Sequence, residues 1–182
     1  MKIKIRRSLQ SDLDSVYTLH TKCFEQTDCW YKSAIRNYLD RGIVIENKEN
    51  SEIIGVLLQG MITPCNRASS KDLNNGEEKD DIFEPIEEIG KLFLENSAQY
   101  KDIYGILMIC IHSDFRGKGL AKKLIEKHYA DNPDRVLCLN TRRSNFNAFN
   151  LYLKMGYTHI ACIKNKYFLP NEDSMFMIRD IM

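Results

Sequence analysis

The stretch Ile103-Tyr104-Gly105-Ile106-Leu107-Met108-Ile109-Cys110-Ile111-His112-Ser113-Asp114-Phe115-Arg116-Gly117-Lys118-Gly119-Leu120-Ala121 decides how this chain folds. Residues 103–111 form a continuous apolar run, which reads as a strand buried on both faces. From Gly117 on, Leu120, Ala121, Leu124, Ile125 and His128 recur at helical spacing. Between them, Arg116-Gly117-Lys118-Gly119 makes a turn in which glycine lets the backbone come close to a ligand and aim several amide N–H groups at it. The helix N-terminus adds partial positive charge, and Arg116 and Lys118 add formal charge, so the turn suits a pyrophosphate. Glycine turns also serve as plain connections, and the turn alone leaves both readings open.

Upstream, Ile3 and Ile5 alternate with Lys2, Lys4 and Arg6 as in a strand, and Ser11-Asp12-Leu13-Asp14 resembles a capping box. Leu13, Val16, Tyr17, His20, Cys23 and Phe24 then mark one face of a helix. A short second helix carries Trp30, Ile35, Tyr38 and Leu39. Residues 42–46 and 53–60 read as strands joined by the turn Asn47-Lys48-Glu49-Asn50. Residues 64–81 are polar and nearly free of apolar side chains, which predicts a solvated, mobile loop. Ile86, Ile89, Leu92 and Phe93 suggest a short amphipathic helix after Pro85.

Downstream, residues 136–140 read as a strand and residues 145–155 as a helix that Gly156 ends. Residues 157–164 and 174–181 read as the last two strands. The order β-α-α-β-β-(insert)-β-α-β-α-β-β predicts a single α/β domain over residues 1–182, built on one mixed sheet with an insertion at 64–96.

Composition narrows the function classes. The 182 residues are 43% hydrophobic and 28% charged, with net charge +1, as in an ordinary soluble domain. That balance argues against a nucleic-acid protein held by bulk charge. Six cysteines include no Cys-x-x-Cys pair and four histidines are scattered, so no zinc or other metal site is expected. No apolar run is long enough to span a membrane, and no signal-like leader opens the chain. Reduced cysteines in the cytoplasm, or the nucleus, are the simplest expectation.

Two signatures carry a resemblance. Ile109-x-Ile111-x-Ser113-x-x-Arg116-x-x-Gly119-x-Ala121 and Asn145-x-x-Ala148-x-x-Leu151-Tyr152-x-Lys154-x-Gly156-Tyr157 resemble the coenzyme A motif and the second motif of the Gcn5-related N-acetyltransferase (GNAT) superfamily. The order of elements agrees over nearly the whole chain, residues 64–96 excepted. The resemblance implies a sheet splayed between its fourth and fifth strands and an acetyl-CoA co-substrate in the wedge. The strand backbone at Ile109, Cys110 and Ile111 would bond the thioester arm. Arg116, Gly117, Lys118, Gly119, Leu120 and Ala121 would hold the pyrophosphate, and Asn145 would touch the coenzyme chain.

In such a site an amine attacks the thioester directly, a strand N–H stabilises the oxyanion, and the thiolate leaves. Tyr152, beside the sulfur, is the candidate acid; outside the motif it would read as a core tyrosine. The base is less obvious. The expected place on the fifth strand holds Asn140, and Gly105 stands where relatives keep a tyrosine. Tyr104 and the loop carboxylate Glu25 are the remaining candidates, with Asp102 beside them. A weak base matches α-amines, whose pKa lies about 2.5 units below that of lysine, which is ~3.5 kcal/mol less deprotonation work.

The tail supports the same acceptor. Tyr167-Phe168 followed by Glu172-Asp173 and Met177-Ile178-Arg179-Asp180-Ile181, with Arg142-Arg143-Ser144-Asn145, resembles the protein N-terminal acetyltransferase branch. That implies a substrate mouth of Phe24, Tyr31, Tyr167 and Phe168, a protein N-terminus as acceptor, and a ribosome or an auxiliary subunit as partner. Glu25 stands where relatives often have proline. A small-molecule amine acetyltransferase (polyamine, aminoglycoside or amino sugar), a lysine acetyltransferase and a non-catalytic acyl-CoA-binding regulatory subunit remain open alternatives.

Overall fold

The computed structural model describes residues 2–24, 29–62, 103–168 and 170–180, with Phe168 described by its backbone alone. The insertion at 64–96, Glu25 and Asp102 lie outside these residues. The strands are β1 (Ile3–Arg7), β2 (Ile43–Asn47), β3 (Ile53–Ile62), β4 (Ile103–Ile111), β5 (Val136–Arg142), β6 (Thr158–Phe168) and β7 (Asn171–Arg179). The helices are α1 (Leu13–Cys23), α2 (Lys32–Tyr38), α3 (Leu120–Asp131) and α4 (Phe146–Lys154).

One seven-stranded sheet runs in the order β1-β2-β3-β4-β5-β7-β6. Every neighbouring pair is antiparallel except β4 and β5, which are parallel. A parallel pair needs a crossover, and α3 supplies it. Alternation along the strands sorts side chains to two faces. Ile43, Ile45, Ile54, Leu57, Ile106, Ile111, Leu137 and Leu139 meet Leu120, Leu124 and Ile125 of α3 and Tyr152 of α4. Val44, Val56, Leu58, Met108 and Cys110 meet Leu13, Val16 and Leu19 of α1 and Ile35 of α2. The central strands are therefore apolar on both faces, which is why residues 103–111 show no alternation.

Several local expectations shift. The capping expectation shifts by a turn: Asp12 Oδ2 accepts the Leu9 N–H at 2.8 Å and closes a single 3-10 turn (Gln10–Asp12) ahead of α1, while Asp12 makes no side-chain bond to the first turn of α1. Leu19 joins the buried face of α1, whereas Tyr17, Cys23 and Phe24 are only partly buried. Helix α3 begins at Leu120, three residues after the turn's first glycine. Strands β6 and β7 run through the tail aromatics, with Tyr167 paired to Glu172 and Phe168 to Asn171. The extra length is accommodated by irregular register between Ile163 and Tyr167, where Asn165 takes φ 54°, a conformation asparagine tolerates.

Arg6 ties three elements together. Its guanidinium pairs both oxygens of Asp12 at 2.7 and 2.9 Å, and its Nε reaches Glu46 at 2.7 Å. The hydrogen bond from Arg6 holds the Asp12 carboxyl below the ordinary carboxylate range. A depressed carboxyl contributes stability above its unfolded pKa of about 3.9 and loses it as pH falls through the folded value. Arg6→Ala should therefore cost about 2 kcal/mol at pH 7 by urea denaturation, because the Asp12 carboxylate is left without its partner. The variant's stability should also fall less steeply than the wild type's below pH about 4.

Candidate active site

The central feature is a break in strand pairing. Strands β4 and β5 pair only from Ile103–Val136 to Ile106–Leu139. Beyond that, β4 continues to Ile111 bonded to β3 alone, and residues 140–142 of β5 bond β7 alone. The two strands thus present unpaired backbone edges to each other across a wedge. Its direction follows from one bond: the His112 N–H donates to the Ile54 carbonyl at 2.9 Å. The Ile111 carbonyl, on the same peptide, points the opposite way, into the wedge. With the two-residue period of a strand, the polar groups of Ile109 face the wedge as well.

At the end of β4 a 3-10 turn (Ser113–Phe115) leads to the glycines. Gly117 has φ 71° and Gly119 φ 73°, both left-handed, and a Cβ added to either would meet no atom within 4 Å. Glycine is needed there for backbone conformation, and the space above it is open. Arg116 to Gly119 are exposed, while Leu120 is buried and anchors α3 behind them. The first-turn amides of α3 have no acceptor within the helix. Open space, outward amides, two basic side chains and a helix N-terminus together fit a pyrophosphate. The Arg116 Nε donates to the Ile111 carbonyl at 3.0 Å, and the Lys118 Nζ donates to the Asp114 carbonyl at 2.9 Å. Asn145 is the cap of α4, its Oδ1 accepting the Ala148 N–H at 3.2 Å.

Tyr152 is 5% exposed and packs in the same apolar cluster as Ile106 and Ile111 of β4 and Leu139 of β5. Its ring meets Tyr157 edge-on at 5.8 Å. Burial first, then Tyr167 and Tyr129, push its phenol above the ordinary range, so it stays protonated and keeps a proton to donate. Tyr167 lies under the Arg142 guanidinium at 4.1 Å.

Tyr104 lies elsewhere. It sits in the paired part of β4, opposite Leu137, stacked on His128 at 6.2 Å with Arg135 over its ring at 4.9 Å. His20, in α1, joins Trp30 and Phe24. Its Nε2 accepts the Trp30 N–H at 2.8 Å, and its ring contacts Phe24 at 4.8 Å. Burial pushes His20 down to about 4, so it is neutral at pH 7. Phe24 is half-buried and Tyr31 is 75% exposed, a side chain available at the surface. Asn140 Oδ1 accepts the Ser174 hydroxyl at 3.1 Å, so this side chain braces β5 against β7.

A clamp of charged side chains joins β7 to the turn after β5. The Glu172 carboxylate accepts the Ser144 N–H, the Ser144 hydroxyl at 3.0 Å and the Arg142 Nη1 at 3.3 Å. Asp173 accepts the Arg143 Nη1 at 3.2 Å and the Asn165 N–H at 3.1 Å, and its carbonyl accepts the Arg143 N–H at 3.1 Å. The β6–β7 hairpin is thereby fastened to the turn that presents Asn145. Adjacent acids in the tail and adjacent arginines before Asn145 were the visible signal; their pairing was not.

The wedge between parallel strands, closed at one end by a left-handed glycine turn, agrees with what the comparisons with known proteins find: the fold is that of N-acetyltransferases. Residues 79–159 match the acetyltransferase (GNAT) domain model. No curated protein matches the chain in sequence. Among solved structures, the ribosomal-protein-S18-alanine N-acetyltransferase from Escherichia coli is similar with TM-score 0.70 and 14% identity, over 99% of this chain and 94% of that one. Arabidopsis thaliana NAA60 in complex with acetyl-CoA gives TM-score 0.71 and 18% identity over 99% of this chain and 100% of that one. Chaetomium thermophilum Naa20 in complex with a bisubstrate analogue gives 0.69 and 16% over 98% of this chain and 86% of that one. Among the described residues no His, Cys, Asp and Glu cluster could hold a metal, and no helix is long and apolar enough to cross a membrane.

Glu172→Ala should raise the Kd for acetyl-CoA about tenfold, ~1.4 kcal/mol, by freeing the turn that carries Asn145. Glu172→Gln, which keeps an acceptor oxygen, should fall between the two, as measured by isothermal titration.

Proposed function

We propose that the protein transfers the acetyl group of acetyl-CoA to the α-amine of a polypeptide N-terminus. The observation that carries this reading is the chemistry of the acceptor side of the wedge. Asn140, at the place where the resemblance puts a strand base, is bonded to Ser174, and Tyr167, Phe24 and Tyr31 are the aromatics that the resemblance puts at the substrate mouth. A site whose described residues supply no strong base favours the amine that is easiest to deprotonate, by ~3.5 kcal/mol over a lysine side chain. Aromatic walls suit the flexible first residues of a peptide. The named activity of the Escherichia coli neighbour, an alanine N-acetyltransferase of a ribosomal protein, supports the same acceptor class.

The amine nitrogen attacks the thioester carbon held against β4. The carbonyl oxygen takes the negative charge and receives a hydrogen bond from a wedge-facing N–H of β4, a contribution of ~2.7–4 kcal/mol in comparable sites. Collapse breaks the C–S bond. Tyr152 donates a hydrogen bond to the departing thiolate, and the amine's proton leaves to solvent, giving the N-acetyl peptide and coenzyme A. Burial suits Tyr152 to this part, since a phenol held above its usual range donates without ionising at neutral pH.

Acetyl transfer to a panel of N-terminal peptides, with a peptide whose only amine is lysine and with spermidine as controls, tests the reading. N-terminal peptides should be acetylated at least about a hundredfold more efficiently in kcat/KM than either control, in line with the deprotonation difference. Preference for spermidine or lysine would overturn the acceptor assignment, and tight acetyl-CoA binding without turnover of any acceptor would make the protein a binding subunit. Tyr152→Phe should lower kcat by about 10²-fold with the Kd for acetyl-CoA unchanged; an unchanged rate would remove Tyr152 from the mechanism.

A further inference from the structure

Strand β4 is not evenly paired along its length. Against β3, Met108 faces Leu58 and Ile106 faces Gln59, so the register skips Leu107. On the other side, pairing with β5 stops at Ile106 and Leu139. Leu107 of β4 and Asn140 of β5 are thus the first residues of the open part, at the apex of the wedge. With a pyrophosphate at the glycine turn and the coenzyme arm running down past Ile111 and Ile109, the reactive end of the coenzyme lies at that apex.

Asn140 places a polar side chain there, and alternation along β5 gives its face. Leu137 and Leu139 pack with α3 and Tyr152 of α4. Asn140 therefore stands on the opposite face, where Met108 and Cys110 of β4 meet α1 and Phe24. Its amide also has a fixed sense. Ser174 is 0% exposed, and its hydroxyl makes one bond among the described residues, to Asn140 Oδ1 at 3.1 Å. A flipped amide would leave that buried proton without an acceptor. The amide oxygen thus faces β7, and the NH2 group is turned away from β7, toward the wedge. Among the described residues this NH2 has no acceptor.

We infer that the Asn140 amide is a specificity-determining group, which donates a hydrogen bond to the first carbonyl oxygen of the acceptor peptide while the α-amine attacks. An NH2 donor is no base, and the amine's lone pair is committed to the thioester carbon, so the partner it reads is an oxygen. The thioester oxygen is served by the backbone N–H of β4, and Asn140 stands on the face away from Tyr152, where the acceptor is free to enter. In an N-terminal residue the carbonyl oxygen is three bonds from the amine nitrogen, so one apex can hold both. A lysine side chain and a polyamine carry no oxygen at that distance. A donor left unpaired discriminates against acceptors that lack its partner. Ser174 is the positioning residue, because its hydroxyl keeps the amide from flipping. This inference rests on the proposed acetylation of N-terminal α-amines.

The test uses the full chain at saturating acetyl-CoA. It compares kcat/KM for an N-terminal peptide with that for the same peptide carrying sulfur in place of its first carbonyl oxygen, a weaker hydrogen-bond acceptor. The wild type should disfavour the thioamide by about fivefold, the strength of one neutral hydrogen bond. In Asn140→Ala the two peptides should differ by less than about twofold, and in Ser174→Ala, which frees the amide to turn, the ratio should fall between. Isothermal titration with acetyl-CoA checks that each variant has formed the wedge. If Asn140→Ala does not bind, Asn140→Asp takes its place; it keeps an oxygen for Ser174, loses the NH2 and should lose the discrimination as well. The same ratio in wild type and variants overturns the inference. So does an Asn140→Ala that slows both peptides by one factor, which would put the amide on the thioester oxygen. A wild type that acetylates no N-terminal peptide counts against the proposed function, and this inference falls with it. A wild type that acetylates such peptides but tolerates the thioamide as well as Asn140→Ala does overturns this inference alone.

Discussion

The protein's working parts depend on the loss of hydrogen bonding between β4 and β5 after Ile106 and Leu139. A strand edge inside a sheet normally finds a partner, because unpaired backbone groups are costly away from water. Here the edge is kept open by what lies on either side. Strand β3 holds β4 to its end, and β7 takes residues 140–142 of β5, so neither strand can swing over to the other. The result is a pre-formed row of backbone donors and acceptors at Ile109 and Ile111, matched to a ligand that carries amides of its own. The glycine turn closes this row with a second set of amides from the α3 N-terminus. On the proposed reading, an extended peptide-like chain and a diphosphate are recognised by backbone, and side chains are left to tune the chemistry.

The side chains follow a consistent electrostatic plan. Tyr152 and Tyr157 are buried among apolar neighbours and keep their protons. His20 is buried and neutral, and acts as an acceptor that fixes Trp30. Among the described residues, fixed charge stays exposed at Arg116 and Lys118 of the glycine turn and lies at the rim in the pairs of Arg142 with Glu172 and Arg143 with Asp173. These pairs are worth little as isolated surface ion pairs. Their value is geometric, since together they accept backbone N–H groups and fasten the acceptor-side hairpin to the coenzyme-side turn.

Much of this was legible in the sequence because it is local. The apolar run of β4, the two left-handed glycines and the capping Asn145 are each encoded within a few residues, and both signatures fell where the structure puts them. What the sequence hid is long-range pairing. Tyr104 looked like a candidate from its place at the start of β4, yet the wedge opens only beyond Ile106, and the strand register that decides this is not a local property. The boundaries of β6 and β7 were drawn short because Asn165 and the polar residues around it interrupt the pattern, while the irregular register carries the strands past them. The contact of Cys23 with Ile111, and that of Glu172 with Ser144, join residues 88 and 28 apart and left no spacing signal.

The most direct test of the central claim is an amide-resolved NMR titration of the protein with acetyl-CoA. The account predicts saturable binding with Kd below about 1 mM and the largest shifts at Ile109, Ile111, Arg116 to Ala121 and Asn145. Absence of saturable binding, or shifts centred on Tyr104 and His128 at the paired end of β4, would contradict it.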